Sequence, residues 1–244
     1  MILSTHAFNR LNPRSLVVCD GTLEALKWIA LILMTGDHIN KYLFNGTNNL
    51  VFAAGRVAMP IFVFVLAYNL ARPESEQRGV YQRTMQRLAV FGVLSTPAYL
   101  GLGGVQHGWW PLNILFTLLV LTAILRLMTL RTHVGYVASA ALFFVAGFVV
   151  EYCWEALALG IAAWWYCRQA SWVALAMGVS ALSSLWLVNS NGWALATLPA
   201  IWIASCFTLT VPRRRWAFYW FYPIHLAVLW LIRIPMRNAG YIFF

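Results

Sequence analysis

The sequence predicts an all-α fold, a polytopic bundle of transmembrane helices. Three observations lead there. Of 244 residues, 61% are hydrophobic and only 10% are charged, against roughly 25% charged in soluble domains. A water-soluble fold of this length could not cover so much apolar side chain with polar surface. The apolar residues also fall into about nine segments of roughly 17–20 residues, each long enough to cross a bilayer core. Finally, 13 Trp and 10 Tyr suit two interfacial belts of amphipathic rings.

The segments run over 23–42, 50–70, 84–101, 112–130, 134–151, 154–168, 172–189, 192–210 and 216–235. The sixth is short, and the fifth and sixth nearly abut, which sets a range of about 8–10 spans. Cationic residues concentrate on the cytoplasmic side of membrane proteins. With the N-terminus in the cytoplasm, Arg10, Arg14, Lys27, Arg72, Arg78, Arg83, Arg87, Arg126, Arg131, Arg168, Arg213, Arg214 and Arg215 lie at the inner side, thirteen of the seventeen Lys and Arg. Lys41, Arg56, Arg233 and Arg237 fall in the outer half. The bias predicts N-in/C-out with an odd number of spans. Residues 1–22 read as a cytoplasmic arm and 23–244 as a single membrane domain, because no loop exceeds about fifteen residues.

The net charge of +10 does not read as a nucleic-acid surface, because the cations sit between apolar segments without aromatic interleaving. The four cysteines, Cys19, Cys153, Cys167 and Cys206, show no paired spacing and read as free thiols. The first twenty residues lack the apolar core of a cleavable signal, so the first span is expected to act as an uncleaved insertion signal. LVVC at 16–19 lacks the small residues of a lipidation site. No internal repeat is visible, which weakens an inverted-repeat transporter.

Ionisable residues inside membrane segments are costly, which makes each a functional candidate. In LILMTGDHINKY, Asp37 and His38 lie about one turn from the outer end of the first span. Arg56 lies about two turns into the second, and Pro60 clashes with the carbonyl of Arg56 four residues earlier. The short first loop makes these helices antiparallel neighbours, so Asp37 or His38 can approach Arg56. An ion pair that only fixes packing is the plainer role for Asp37 and Arg56, and an interfacial position the plainer one for His38. In WWPLNILFTL, Pro111 suits a helix start, and Asn113 and Thr117 share a face. Bare helix N–H groups there can bind an oxyanion, or Asn113 is merely a cap.

Glu151 and Glu155 flank the outer turn between spans five and six. They can hold a substrate ammonium, although a solvated turn is the simpler reading. His107 reads as exposed. His225 sits near the bilayer middle, two residues after Pro223, and can transfer protons near neutrality. Alternatively it is bonded to a carbonyl that the proline frees. Tyr219 and Tyr222 are its potential partners, or aromatic packing. Arg83, Arg87, Arg213, Arg214 and Arg215 either mark orientation and contact lipid headgroups or bind a polyphosphate.

ALKWIALILMTGDHI, GRVAMPIFVF, LNILFTLLV and FYWFYPIHL together resemble the TraX family of bacterial integral-membrane proteins encoded with conjugative transfer systems. The similarity runs in order from residue 23 to about 230. The family's motif residues fall on Asp37, His38, Arg56, Pro60, Asn113 and His225, with Gly36 where a β-branched residue is common. The resemblance implies acetylation of the N-terminal amine of a conjugative pilin. The donor is acetyl-CoA, the site is the inner membrane, and no metal is involved.

Direct acyl transfer needs a base, because an α-amine with a pKa of about 7.7–8.0 is mostly protonated at neutral pH. His38, oriented by Asp37 or an equivalent partner, is the first choice. His225 is the second, or the donor of a proton to the leaving thiolate. Adjacent helical residues point about 100° apart, so Asp37 can pair with Arg56 instead of His38. Asn113, a helix N-terminus or Arg56 is expected to stabilise the oxyanion. CoA is expected to thread a tunnel from the inner arginines past a midplane His225 to His38 at the outer level. Direct transfer and an acetyl-histidine intermediate both remain open. The competing readings are an O-acetyltransferase of a glycan, a proton-coupled transporter using Asp37, Arg56 and His225, and a non-enzymatic pilus assembly factor.

Overall fold

The computed structural model describes residues 16–104 and 110–243. His107, Arg10 and Arg14 lie outside the described residues. Within them are eleven α-helices and no strand, only one isolated bridge between Leu112 and Val150. Each predicted segment corresponds to helix. The first is α1 (Asp20–Leu43), and the second is α2 (Asn49–Gly55) with α3 (Ala58–Ala71). There follow α4 (Val80–Gly101), α5 (Ile114–Thr129), α6 (His133–Gly147) and α7 (Cys153–Arg168). The seventh segment is α8 (Trp172–Ser184) and α9 (Trp186–Asn189), the eighth is a 3-10 turn and α10 (Thr197–Ser205), and the last is α11 (Arg215–Asn238).

Three of these stretches, Asn49–Ala71, Trp172–Asn189 and Arg215–Asn238, are long and apolar enough to cross a membrane, and three shorter helices are apolar. The outward faces carry Val134, Val137, Phe144 and Val145 on α6 and Trp220, Ile224 and Leu231 on α11, all exposed. Exposed apolar faces of that extent mark a membrane protein.

Local chemistry explains the breaks. Pro60 has no N–H to give Arg56, and the helix opens there. Arg56 and Val57 instead donate to Ala53 and Ala54, both at 3.2 Å. The interhelix seams use small residues, as membrane helices do. At Gly160 of α7, for example, an added Cβ would stand 2.6 Å from Leu121 Cδ1 of α5.

The two ends of the bundle differ. At one, Arg72 bonds Asp20, Arg168 bonds Glu76 at 3.0 Å, and Thr22 donates to the carbonyl of Phe207 at 2.8 Å. The Arg72 bond holds the Asp20 carboxyl below the usual carboxylate range. At the other, Asn45 donates to Ile242 at 2.9 Å, and Arg233 to the Leu102 carbonyl at 2.5 Å. Lys27 and Arg213 meet Glu24 toward the first end, and Arg233 lies at the second.

Candidate active site

Helix α1 packs against α2, α3 and α11, which brings the three polar motifs of the sequence to one level. His38 of α1 and His225 of α11 touch, Nδ1 of the first lying 2.8 Å from Nε2 of the second. Their rings stack with centroids 5.1 Å apart. The expectation that His38 and His225 occupy separate levels is therefore corrected. The contact of α11 with α1 puts them side by side.

Bonding fixes the tautomers. His225 Nδ1 lies 2.9 Å from the Phe221 carbonyl, which can only accept, so Nδ1 carries the hydrogen. Neutral His225 then accepts at Nε2, and His38 donates from Nδ1. His38 Nε2 is left as the ring nitrogen with a free lone pair. The carbonyl is that of Phe221 and not that of Tyr219, the one Pro223 frees. The Tyr222 ring stands edge-on to His225 at 5.3 Å.

Asp37 is buried and bonds Arg56, so it does not orient His38. Its adjacent position on the helix turns it toward α2, while His225 takes the orienting place. Gly55 makes this approach possible, since an added Cβ there would lie 2.7 Å from Asp37 Cγ. Gly36, the departure from the family pattern, has room: its Cβ would meet only Val51 Cγ1 at 3.6 Å. Arg56 also donates to the Phe52 carbonyl and to Asn189 Oδ1, each at 3.3 Å, tying α1, α2 and α9 together. Only Asp37 Oδ1 in this group is buried without a partner.

A cavity of about 410 Å³ runs beside these residues. Lys27, Arg78, Arg83, Arg87, Arg213 and Arg215 line one part, Leu31, Met34, Phe62, Leu66 and Leu118 the middle, and Asp37, His38, Gly55, Glu151 and Tyr152 the far part. His38 borders this space, whereas His225, Arg56, Asn113 and Arg214 are not among its lining residues. Arg87 lies over the rings of Trp216 and Tyr219 at 4.9 and 5.8 Å. Among the described residues, Arg83, Arg87 and Arg215 have no carboxylate within ion-pair distance, while Arg78 and Lys27 pair with Glu74 and Glu24, each at 2.6 Å.

The residues considered for an oxyanion are engaged elsewhere. Asn113 caps α5 by accepting from Leu115 N at 3.1 Å and donates to the Gly92 carbonyl at 3.0 Å. Thr117 donates to the Glu151 carbonyl at 2.8 Å. At the α5 N-terminus the Leu115 amide is taken by the Asn113 cap, while Glu151 and Ile114 both line the cavity. Pro111 lies outside the helix, which begins at Ile114.

Glu151, which the sequence offers with Glu155 as a holder of a substrate ammonium or as a solvated turn, lines the cavity, and its neighbour Tyr152 is a lining residue that the sequence did not single out. Backbone bonds between Leu112 and Val149 (2.9 Å) and between Glu151 and Leu112 (3.0 Å) fold the turn inward. Tyr152 and Cys153 follow in the left-handed region, φ 60° and 46°, a conformation that costs non-glycine residues about 1–2 kcal/mol each. Glu155, one helical turn later in α7, is not a lining residue.

Comparison with known proteins agrees with the motif order. The family model described as TraX protein matches residues 22–233. A protein from Escherichia coli named Protein TraX is 30% identical over 244 aligned positions, covering 90% of each chain. Another Protein TraX, from Escherichia coli strain K12, is 32% identical over 131 residues, 54% of this chain and 49% of that protein. No solved structure matches the chain. With the family model spanning residues 22–233, the chain belongs to the TraX family.

Proposed function

We propose that the chain is an acetyl-CoA-dependent N-acetyltransferase. It crosses the bacterial inner membrane about nine times, N-in/C-out, and acetylates the N-terminal amine of a conjugative pilin. One observation carries the chemistry: a single cavity joins a cation-lined part to His38. The cations suit the phosphates of CoA, and the guanidinium groups can make bidentate contacts. Lys27 and His38 stand eleven residues apart on α1, about 16 Å along the helix axis. A phosphopantetheine arm spans that distance through an apolar passage.

The base is His38 Nε2. The acceptor ammonium gives it one proton, and the amine nitrogen then attacks the thioester carbon. As the C–N bond forms and the C–S bond breaks, the imidazolium returns that proton to the sulfur. The new amide sheds its remaining extra proton to His38 and on to water. The products are the acetylated amine, CoA thiol and one proton. His225 accepts from His38 Nδ1 throughout and favours the imidazolium, as a fixed acceptor does for histidine in hydrolytic triads.

The donor half is tested with the Arg83→Gln, Arg87→Gln, Arg215→Gln triple variant in proteoliposomes. KM for acetyl-CoA is expected to rise about tenfold or more with kcat changed less than about threefold, because ground-state and transition-state binding are lost equally. An unchanged KM would place the CoA phosphates elsewhere.

A further inference from the structure

We propose that Asp37 Oδ1 and the Glu151 carboxylate form a recognition site for the acceptor's ammonium group. They would select a cationic primary amine over a neutral hydroxyl. The proposal deepens the acyltransfer reading and rests on it for the role of His38.

Asp37, His38 and Glu151 are all lining residues of the same cavity. Asp37 is only 6% exposed, and Arg56 satisfies Oδ2 alone, leaving Oδ1 buried with no hydrogen-bond partner. A buried carboxylate oxygen without a donor is unfavourable, and a ligand N–H donor would relieve it. Glu151 has no cation within ion-pair distance among the described residues. Asp37 and Arg56 pair with each other, and Glu151 is the carboxylate in this part of the cavity that has no paired cation among the described residues.

An ammonium carries three donors in tetrahedral array. Two can go to Asp37 Oδ1 and Glu151, and the third can point to His38 Nε2, which takes the proton. A hydroxyl has a single donor. Bound there, it would leave one carboxylate oxygen unmatched and bring no positive charge to Glu151. The site thus discriminates by charge and by donor number together.

The test uses the purified full chain in detergent. Its ligands are a short peptide bearing a free N-terminal α-amine and the same peptide N-acetylated. Calorimetry reads binding without acetyl-CoA, and turnover is measured separately. The free-amine peptide is expected to bind about tenfold or more tightly, the scale of a charge-assisted bond. Glu151→Gln is expected to erase that preference, and Glu151→Asp, which keeps the charge, to retain part of it. Equal binding of the two peptides by wild type would overturn the proposal. So would a preference that persists undiminished in Glu151→Gln, a variant whose thermal unfolding is checked alongside. A lost preference with both variants equally unfolded is resolved by the double variant Asp37→Asn, Arg56→Gln, which leaves no lone charge buried and must weaken the free-amine peptide alone if the proposal holds. An amine preference without any acetyl transfer would leave the ammonium site standing and remove the acyltransferase reading.

Discussion

On the proposed acetyltransferase reading, replacing His38 by alanine is expected to lower acetyl transfer by about 10²–10⁴-fold, the usual contribution of a positioned general base. The loss is expected to fall on kcat, because Lys27, at the cation-lined part of the cavity, stands about 16 Å from His38 along α1. The fold should survive, since His38 borders the cavity and its one hydrogen bond is to His225. His225 is the weaker position. It touches no substrate, and its removal leaves His38 Nε2 in place while freeing the ring to turn. Transfer of a labelled acetyl group, measured at saturating acetyl-CoA, separates the two. Equal rates for wild type and His38→Ala would remove the imidazole from the reaction.

Arg56→Ala destabilises the protein by about 3–5 kcal/mol, the scale for removing one partner of a buried ion pair. Asp37 would be left with both oxygens uncompensated beside Gly55. The bonds to Phe52 and Asn189 are lost as well, which loosens α2 and α9. The double variant Asp37→Asn, Arg56→Gln should recover much of this, because no lone charge remains buried. Thermal unfolding in detergent checks it. A single variant as stable as wild type would mean that water already reaches Asp37.

The helices were legible because membrane burial imposes long apolar runs, and punctuation such as RVAMP marks a break by a missing N–H. Asp37 and Arg56 could be paired from the short loop between them and the 100° step from Asp37 to His38. The contact between His38 and His225 was not legible: it depends on how α11 is rotated against α1, and 187 residues separate the pair. Asn113 looked like an oxyanion donor because N-caps and anion sites share one chemistry; the structure shows its amide already spent on Gly92 and Leu115. Glu151 read as a solvated turn for a related reason. Only the backbone pairing of the 148–152 turn with Leu112 folds its side chain inward, and that pairing leaves no pattern in residue type.

The central claim is that His38 moves an acetyl group from CoA to an amine. It is tested most directly by the intact mass of pilin co-expressed with the wild-type chain, with His38→Ala, or with neither. The account predicts a gain of one acetyl group on the N-terminal residue with wild type alone. Pilin of unchanged mass beside the wild-type chain, or equal acetylation beside His38→Ala, would contradict it.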